Sequence, residues 1–396
     1  MDNIIYLDNA ATAWPKPENV YDFMIEFYRK CGVNPGRSGF DLAIEAGNIL
    51  EELRKRLTKF FGGDEDTPER LCFGYNATDA LNLIIQGLLR PGDHIITTNL
   101  EHNSVIRPVN HLVRDGGVEA TFVPFDGDGF VDPDAIKSAI KQNTRLVMVN
   151  HGSNVLGTIQ PIAEIGHFCR ERGVLFGIDT SQTAGVVPIN MKAMNVDVLA
   201  FTGHKALMGC TGIGGLCVRK HVEIRQTRSG GTGVNSVYPY HLEKYPFRME
   251  FGTPNIVGIA ALSAGQNWIE TTGIENIYAH EIALAERLVE GFQHIDGVRI
   301  YCCESMKNHL STITVNIEDM DAGDVGIILD VDHNIAVRTG LHCAPLVHQQ
   351  IGTLEIHGGV RFSIGAFNTE EHIDHAIAAM AEIAEFSRQR VLRTMA

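Results

Sequence analysis

The 396 residues carry a formal charge of −15 and are 44% hydrophobic and 20% charged, an ordinary globular balance long enough for two domains. The acidic balance excludes a general nucleic-acid surface, and no apolar run is long enough to span a bilayer. Met1-Asp-Asn3 lacks the basic start of a signal peptide, and eight cysteines without CxxC spacing read as reduced thiols of a cytoplasmic chain. The seventeen histidines form no HExxH pattern. Adjacent Cys302 and Cys303 lack His or Cys partners at ligand spacing, so no metal is expected.

Taken in order, Ile4-Ile-Tyr-Leu7 has the character of a short strand and delivers Asp8-Asn-Ala-Ala-Thr12. Pro15 and Pro17 open a helix on which Val20, Phe23, Met24, Phe27 and Tyr28 recur at helical spacing, giving one buried face. After the polar turn Asn34-Pro-Gly-Arg-Ser38, a second helix from about Asp41 to Phe61 buries Leu42, Ala46, Ile49, Leu50, Leu53 and Leu57. Both stripes suit core or subunit contacts. From Leu71 to about Phe201, strand, loop and helix alternate. Leu71-Cys-Phe73 precedes a helix over Asn76–Leu89, and His94–Thr98 precedes one beginning near Ser104. Ala120-Thr-Phe-Val-Pro124 leads to a helix over Asp134–Lys141, and Arg145–Val149 to one over Ile162–Glu171. That rhythm predicts an α/β fold with a mostly parallel sheet between helices.

Near Ile256–Ile269 a helix hands over to a smaller α+β layer. There Ser311-Thr-Ile-Thr-Val-Asn-Ile317 alternates like a half-solvated antiparallel strand, and helices over Gly323–Leu329 and Glu370–Arg390 follow. Gly230-Gly-Thr-Gly233 is not a dinucleotide loop, because no strand leads into it and no helix clearly follows.

Two strand ends carry chemistry. Val198-Leu-Ala-Phe201 empties into a polar turn holding Thr202, His204 and Lys205. A lysine there loses hydration, which lowers its pKa toward a nucleophilic amine, as a Schiff-base lysine requires. Val174-Leu-Phe-Gly-Ile178 likewise ends at Asp179, with Gln182 close behind, where open α/β sheets collect ligands. In the turn Phe73-Gly-Tyr-Asn-Ala-Thr-Asp79, an Asn76 cap leaves the backbone N–H groups of Ala77 and Thr78 free for a phosphate.

Strand-Asp-x-x-Gln followed by strand-Thr-x-His-Lys resembles the fold-type I pyridoxal-phosphate (PLP) enzymes of aminotransferase class V. More narrowly it resembles their cysteine desulfurase and selenocysteine lyase branch. The resemblance runs from Tyr6-Leu-Asp-Asn-Ala-Ala-Thr12 to Arg361-Phe-Ser-Ile-Gly-Ala-Phe-Asn368. It implies a large PLP-binding domain over 15–262 with a seven-stranded-type sheet containing at least one antiparallel strand. A small α+β domain, from 1–14 and 263–396, would carry the catalytic cysteine loop.

The same resemblance implies the roles. Lys205 holds the cofactor and moves protons, and Asp179 holds its ring nitrogen, because a protonated ring is the better electron sink. Gln182 reaches the phenolic oxygen, and Asn154 either that oxygen or the substrate carboxylate. Ala77, Thr78, Thr202 and His204 hold the phosphate. Thr253, in Phe251-Gly-Thr-Pro-Asn255, reaches the phosphate of a neighbouring subunit, so that a homodimer shares the site. His102, after Glu101, stacks on the ring and shuttles protons, for which a near-neutral imidazole is suited. Arg361 anchors the substrate α-carboxylate with its guanidinium fork, and Arg338 and Arg37 add donors. Cys343 stands where desulfurases carry the cysteine that takes sulfur from bound L-cysteine, and Arg338 and His342 beside it favour a thiolate.

Three departures accompany these matches. Asn76-Ala77 replaces a turn that more often reads Gly-Thr-Thr-Glu, with the loss of one hydroxyl donor. Gly152 stands where valine is common. The eighteen-residue spacing from Cys343 to Arg361 is somewhat long, so Leu346–His357 is where an acceptor would dock differently. The tight Cys343-Ala-Pro345 resembles the group with a short, ordered loop that relies on an acceptor protein for brisk turnover.

The implied function is conversion of L-cysteine to L-alanine with a persulfide on Cys343, feeding iron–sulfur cluster or other thio-cofactor assembly. Selenocysteine lyase or cysteine sulfinate desulfinase activity on the same site stays open. Retained Cys343 argues against transamination or epimerisation. The intact set of Lys205, Asp179, His102 and Arg361 argues against a non-enzymatic scaffold.

Overall fold

The computed structural model describes residues 4–35, 39–303 and 305–395; Arg37 lies outside them. The chain opens with a short strand, β1 (Ile5–Tyr6), and two helices, α1 (Glu18–Cys31) and α2 (Asp41–Phe60). Alternation follows through β2 (Leu71–Gly74), α3 (Ala77–Leu88), β3 (His94–Thr98), α4 (Asn103–Gly116) and β4 (Glu119–Val123). It continues through α5 (Pro133–Ala139), β5 (Thr144–Asn150), α6 (Ile162–Arg172), β6 (Leu175–Asp179), β7 (Val198–Thr202) and β8 (Gly214–Val218).

Among the described residues these strands form a seven-stranded sheet in the order β2-β8-β7-β6-β5-β3-β4. The pairs from β4 to β7 are parallel, while β8 runs antiparallel to both β7 and β2. The reversal has a local cause: β7 joins β8 through the loop bearing Lys205, with no crossover helix to restore direction. Side chains alternate between two apolar layers. Ile96, Val147, Val149, Ile178 and Phe201 enter one, and Ile95, Leu146, Met148, Val198 and Ala200 the other. A sheet covered on both faces explains why its strands read as unbroken hydrophobic runs.

Beyond β8, α7 (Ile256–Thr272) and α8 (Ile274–Gln293) lead into a second layer. It contains β9 (Val298–Ile300), β10 (Thr312–Ile317), α9 (Ala322–His333), β11 (Ile335–Ala336), β12 (Arg338–Gly340), α10 (Pro345–Gln350), β13 (Gly359–Ser363) and α11 (Glu370–Met395). Strands β12-β13-β10-β9 form an antiparallel sheet, and β11 pairs in parallel with β1. Among the described residues no helix is long and apolar enough to cross a membrane.

Two expectations change. Strand β10 is buried on both faces rather than half-solvated. Ile313, Val315 and Ile317 enter the apolar cluster with Leu284 and Leu288 of α8. The polar face is covered too: Thr314 Oγ1 donates to the Val155 carbonyl at 2.5 Å, and Asn316 Nδ2 to that of Gly358 at 2.9 Å. Hydrogen-bonded polar groups on a buried face imitate the alternation of a wet strand. Secondly, Phe23, Tyr28 and Leu42 are 38%, 52% and 40% exposed instead of buried. The inner faces of α1 and α2 are carried by Val20, Phe27, Ala46, Leu50, Leu53 and Leu57, so each apolar stripe is wider than the core it covers.

Candidate active site

Because β5, β6 and β7 are parallel neighbours, their carboxyl ends deliver Asn150, Asp179 and Thr202 to one edge of the sheet. There Lys205 lines a cavity of about 250 Å³, together with Ala77, Thr78, His102, Asn154, Asp179, Gln182, Thr202, His204, Arg338 and Arg361. The fold therefore brings together most of the residues singled out from sequence, drawn from both layers. Thr253 is not among them. It is exposed and lines a separate groove of about 420 Å³ with Phe251 and Asn255.

At one end of the cavity, Asn76 caps α3 by accepting from the Asp79 amide at 2.9 Å, which leaves the first helical N–H groups at the cavity wall. Gly214 permits this approach, since a Cβ on it would lie 2.7 Å from Asn76 Cα. Thr202 Oγ1 and His204 Nδ1 are buried beside the turn without a hydrogen-bond partner. Orphaned polar atoms next to a helix amino end are a suitable cradle for a phosphate.

Lys205 sits low in the cavity, only partly exposed. Burial lowers its ammonium from 10.5 to about 8; Asp179 opposes the shift, and Arg361 and Arg338 reinforce it. The His204 carbonyl just before it is fixed by Thr12 Oγ1 at 3.0 Å and Lys16 Nζ at 2.5 Å. No motif in the sequence marks Lys16, which lies between Pro15 and Pro17 at the entry to α1. Asp179 is tied to Ser181, whose amide donates to Oδ1 at 2.9 Å and whose hydroxyl donates at 2.5 Å. Gln182 Nε2 donates to the Ala10 carbonyl at 3.1 Å.

His102 caps α4, its Nδ1 accepting from the Ser104 amide at 3.1 Å. An amide only donates, so Nδ1 keeps its lone pair and the proton of the neutral ring belongs on Nε2. Burial, aided by Lys205, lowers this imidazole from 6.5 to about 4, below the near-neutral pKa expected for a proton shuttle. Dehydration beside cations disfavours a further positive charge. His102 is therefore a neutral ring at physiological pH. The carboxyl of neighbouring Glu101 is fully buried, which raises it from 4.5 to about 8; Oε1 accepts from Thr98 Oγ1 at 2.8 Å and from the Asn150 amide at 3.0 Å.

Arg361 is 1% exposed, pairs with Asp8 Oδ1 at 2.5 Å and donates to the Asn154 carbonyl at 3.0 Å. The Asp8 partnership joins the two ends of the recognised sequence span, a contact that spacing could not reveal. Cys343 lies on the loop after β12, partly exposed, and Arg338 Nη2 donates to its Sγ at 3.2 Å. The loop is held by the Asn103 amide on the Cys343 carbonyl and by Asn154 Nδ2 on the His342 carbonyl, both at 2.7 Å. His342 does not assist the thiol as expected. Its ring nitrogens face His348 Nε2 at 3.1 Å and the Arg338 carbonyl at 3.2 Å, and burial holds it well below the usual histidine range. The loop's turn, with positive φ at both His342 and Cys343, sends neighbouring side chains to different surroundings.

The family model for aminotransferase class V matches residues 5–375. This chain belongs to that family. It is 35% identical to a probable cysteine desulfurase of Methanothermobacter thermautotrophicus, over 96% of this chain and 94% of that protein. A cysteine desulfurase of Cronobacter sakazakii is 32% identical, with 96% and 93% covered. The apo cysteine desulfurase of Thermococcus onnurineus NA1 superposes with a TM-score of 0.90 at 35% identity, covering 96% of this chain and 95% of that one. The cysteine desulfurase CsdA of Escherichia coli, in an S-sulfonic acid form, gives 0.86 at 26% identity, with 97% and 95% covered. Class V membership implies pyridoxal phosphate, and the orphaned phosphate cradle, Asp179 and the partly dehydrated Lys205 fit that group.

Proposed function

We propose that this protein is a PLP-dependent cysteine desulfurase that converts L-cysteine to L-alanine and carries the released sulfur as a persulfide on Cys343. The observation that carries the reading is the Arg338–Cys343 contact at 3.2 Å, because Arg338 also lines the Lys205 cavity. It sets a sulfur nucleophile beside a carbon-acid site. A transaminase has no use for that thiol.

In this reading Ala77 and Thr78 amides, Thr202 and His204 hold the cofactor phosphate, and Asp179 holds the ring nitrogen. Gln182 would hold the phenolic oxygen, Asn154 that oxygen or the substrate carboxylate, His102 would cover the ring and Lys205 would hold the cofactor's aldehyde end. The cofactor, when bound, supplies the electron sink that acidifies the substrate Cα. Arg361, with Arg338, orients the substrate carboxylate; Arg37 is a further donor. Lys205, with a pKa near ambient pH, takes the Cα proton and returns a proton to carbon. Cys343 Sγ attacks the substrate sulfur, forming an S–S bond as the C–S bond breaks. The bonding pair stays with carbon, which is protonated to the alanine methyl, while Cys343 keeps the persulfide. The atoms balance without an external oxidant.

We place Thr253 at the phosphate of a partner subunit, which its exposure away from its own cavity supports. Phe23, Tyr28 and Leu42 are exposed apolar residues suited to the same homodimer contact. The lobe Leu346–His357 is where docking of a sulfur-acceptor protein, for iron–sulfur or other thio-cofactor assembly, would differ from that in other desulfurases. Eight free cysteines favour a reducing, cytoplasmic setting. The proposed division, 15–262 against 1–14 with 263–396, is supported by the separate apolar cluster of the second layer.

The test is mass spectrometry of the PLP-loaded protein after brief exposure to L-cysteine, with alanine quantified in parallel. A sulfur-mass adduct on Cys343 with alanine is expected. Alanine without the adduct would shift the assignment to direct elimination. No alanine would shift it to selenocysteine, a sulfinate or another class V reaction.

A further inference from the structure

Behind Lys205 lies a second, smaller cavity of about 40 Å³, lined by Asn9, Gln182, Lys205, Glu281, Ser311 and Ser363. Ala10, Gln182 and Lys205 line both this chamber and the larger one, so they form the partition between them. A cavity needs roughly 10–15 Å³ to hold a water, whose share of liquid volume is about 30 Å³, so the chamber has room for at least one. Ala10, Ala13, Val186, Ala206, Met208 and Leu310 give it partly apolar walls, while Asn9, Gln182, Lys205, Glu281, Ser311 and Ser363 supply the polar partners a water needs. Among the described lining residues, Lys205 and Glu281 are the two titratable groups.

Glu281 projects from α8 and is 6% exposed. Ser311 Oγ stands 3.0 Å from Glu281 Oε2 and 2.9 Å from the Ile364 carbonyl oxygen. One hydroxyl proton cannot make a full, linear bond to both acceptors. The carbonyl can only accept, so the arrangement is completed when Ser311 donates to Ile364 and a protonated Glu281 donates to Ser311. Burial points the same way, raising this carboxyl from 4.5 to about 8.

Resting on the desulfurase reading of Lys205, we propose that Glu281 is a protonated acid that exchanges hydrogen with the Lys205 amine through water in the rear chamber. The exchange swaps one N–H hydrogen for one O–H hydrogen. No net charge moves and no co-reactant is consumed. Its consequence is isotopic: hydrogen taken from the substrate Cα is diluted into the Glu281 pool before Lys205 returns one to carbon. Glu281 touches neither substrate nor cofactor and is a positioning and exchange residue.

The experiment uses the PLP-loaded enzyme and L-cysteine deuterated at Cα, with deuterium in the alanine product read by mass spectrometry. Glu281→Gln keeps shape and removes the exchangeable carboxyl proton, so the retained deuterium should rise roughly two-fold or more over wild type. Equal retention would overturn the exchange role, since a merely structural glutamate would not alter label return. The infrared difference between wild type and Glu281→Gln at pH 7 should contain a carboxylic-acid carbonyl band. A carboxylate band in its place would overturn the protonated assignment. Fully buried Glu101 is present in both proteins and cancels in the difference. Should Glu281→Gln fold poorly, Ser311→Ala keeps the carboxyl and should shift the acid band; an unmoved band overturns the hydrogen-bond assignment. Failure of wild type to make alanine counts against the desulfurase reading, and the infrared result still decides whether Glu281 is an acid.

Discussion

Arg338 and Arg361 stand directly opposite each other in the antiparallel β12–β13 pair. Like charges at opposed positions repel, so this register needs compensation. Asp8 neutralises Arg361, while Arg338 turns to the Cys343 sulfur. One carboxylate for two guanidinium groups leaves a positive surplus at the cavity wall, suited to an anionic substrate. We expect Arg361→Lys to keep a charge but lose the planar fork, raising KM for L-cysteine about 10-fold or more, with a smaller change in kcat. Steady-state kinetics at saturating PLP checks this; an unchanged KM would remove Arg361 from carboxylate binding.

Cys343→Ala should abolish the sulfur adduct and reduce sulfide release about 100-fold or more, leaving PLP content unchanged. Parallel assays with L-cysteine and L-selenocysteine distinguish the specificities. Alanine formation from selenocysteine that survives in the variant would favour a lyase, in which the C–Se bond breaks without the thiol.

Lys205 gives a pH signature with a definite sign. Its folded pKa, lowered from 10.5 to about 8, means that the apo protein bears a burial penalty in full below pH 8. That penalty is relieved between pH 8 and 10.5 as the folded amine loses its proton while the unfolded chain keeps it. Lys205→Met should therefore stabilise the apo protein at pH 7, by on the order of 1–3 kcal/mol, with the gain vanishing above pH 10.5. Denaturant titrations across that range test it. A variant less stable at every pH would contradict the burial argument. The same variant should be catalytically dead.

Thr202→Val separates folding from cofactor binding. Its hydroxyl is buried without a partner, so an isosteric apolar side chain should leave apo stability unchanged or raised. Loss of a phosphate ligand should weaken PLP binding about 10-fold. Parallel thermal melts and PLP titrations read the two effects; unchanged affinity would place the phosphate elsewhere.

Gly214→Val tests the turn that feeds the same cradle. A Cβ there would lie 2.7 Å from both Asn76 Cα and the Phe201 carbonyl oxygen, so two backbone segments would have to part. We expect destabilisation of about 1–3 kcal/mol and weaker PLP binding. Circular dichroism melts with PLP titration provide the check, and a variant with wild-type stability and affinity would show that the approach is not required.

The parallel core was legible because it repeats a local rule. Residues Leu146–Val149 and Val198–Phe201 are apolar at every position, as suits strands packed between two apolar layers. Strand β10 imitates a half-solvated strand because Thr314 and Asn316 carry polar atoms whose hydrogen-bond partners are distant in sequence. Phe23 and Leu42 were misplaced for the converse reason: helical spacing marks an apolar face without stating whether the same chain covers it.

The sequence by itself determined which chemical groups were present and which strand ends would carry Asp179 and Lys205, since those depend on residue type and short-range pattern. Tertiary structure alone decided that Asp8 balances Arg361, that Arg338 reaches Cys343 and that His342 turns to His348 instead. It also decided that a chamber behind Lys205 holds Glu281. Hydration loss and charge pairing depend on which distant segments exclude water from the same few ångströms, and chain order does not encode that distance locally.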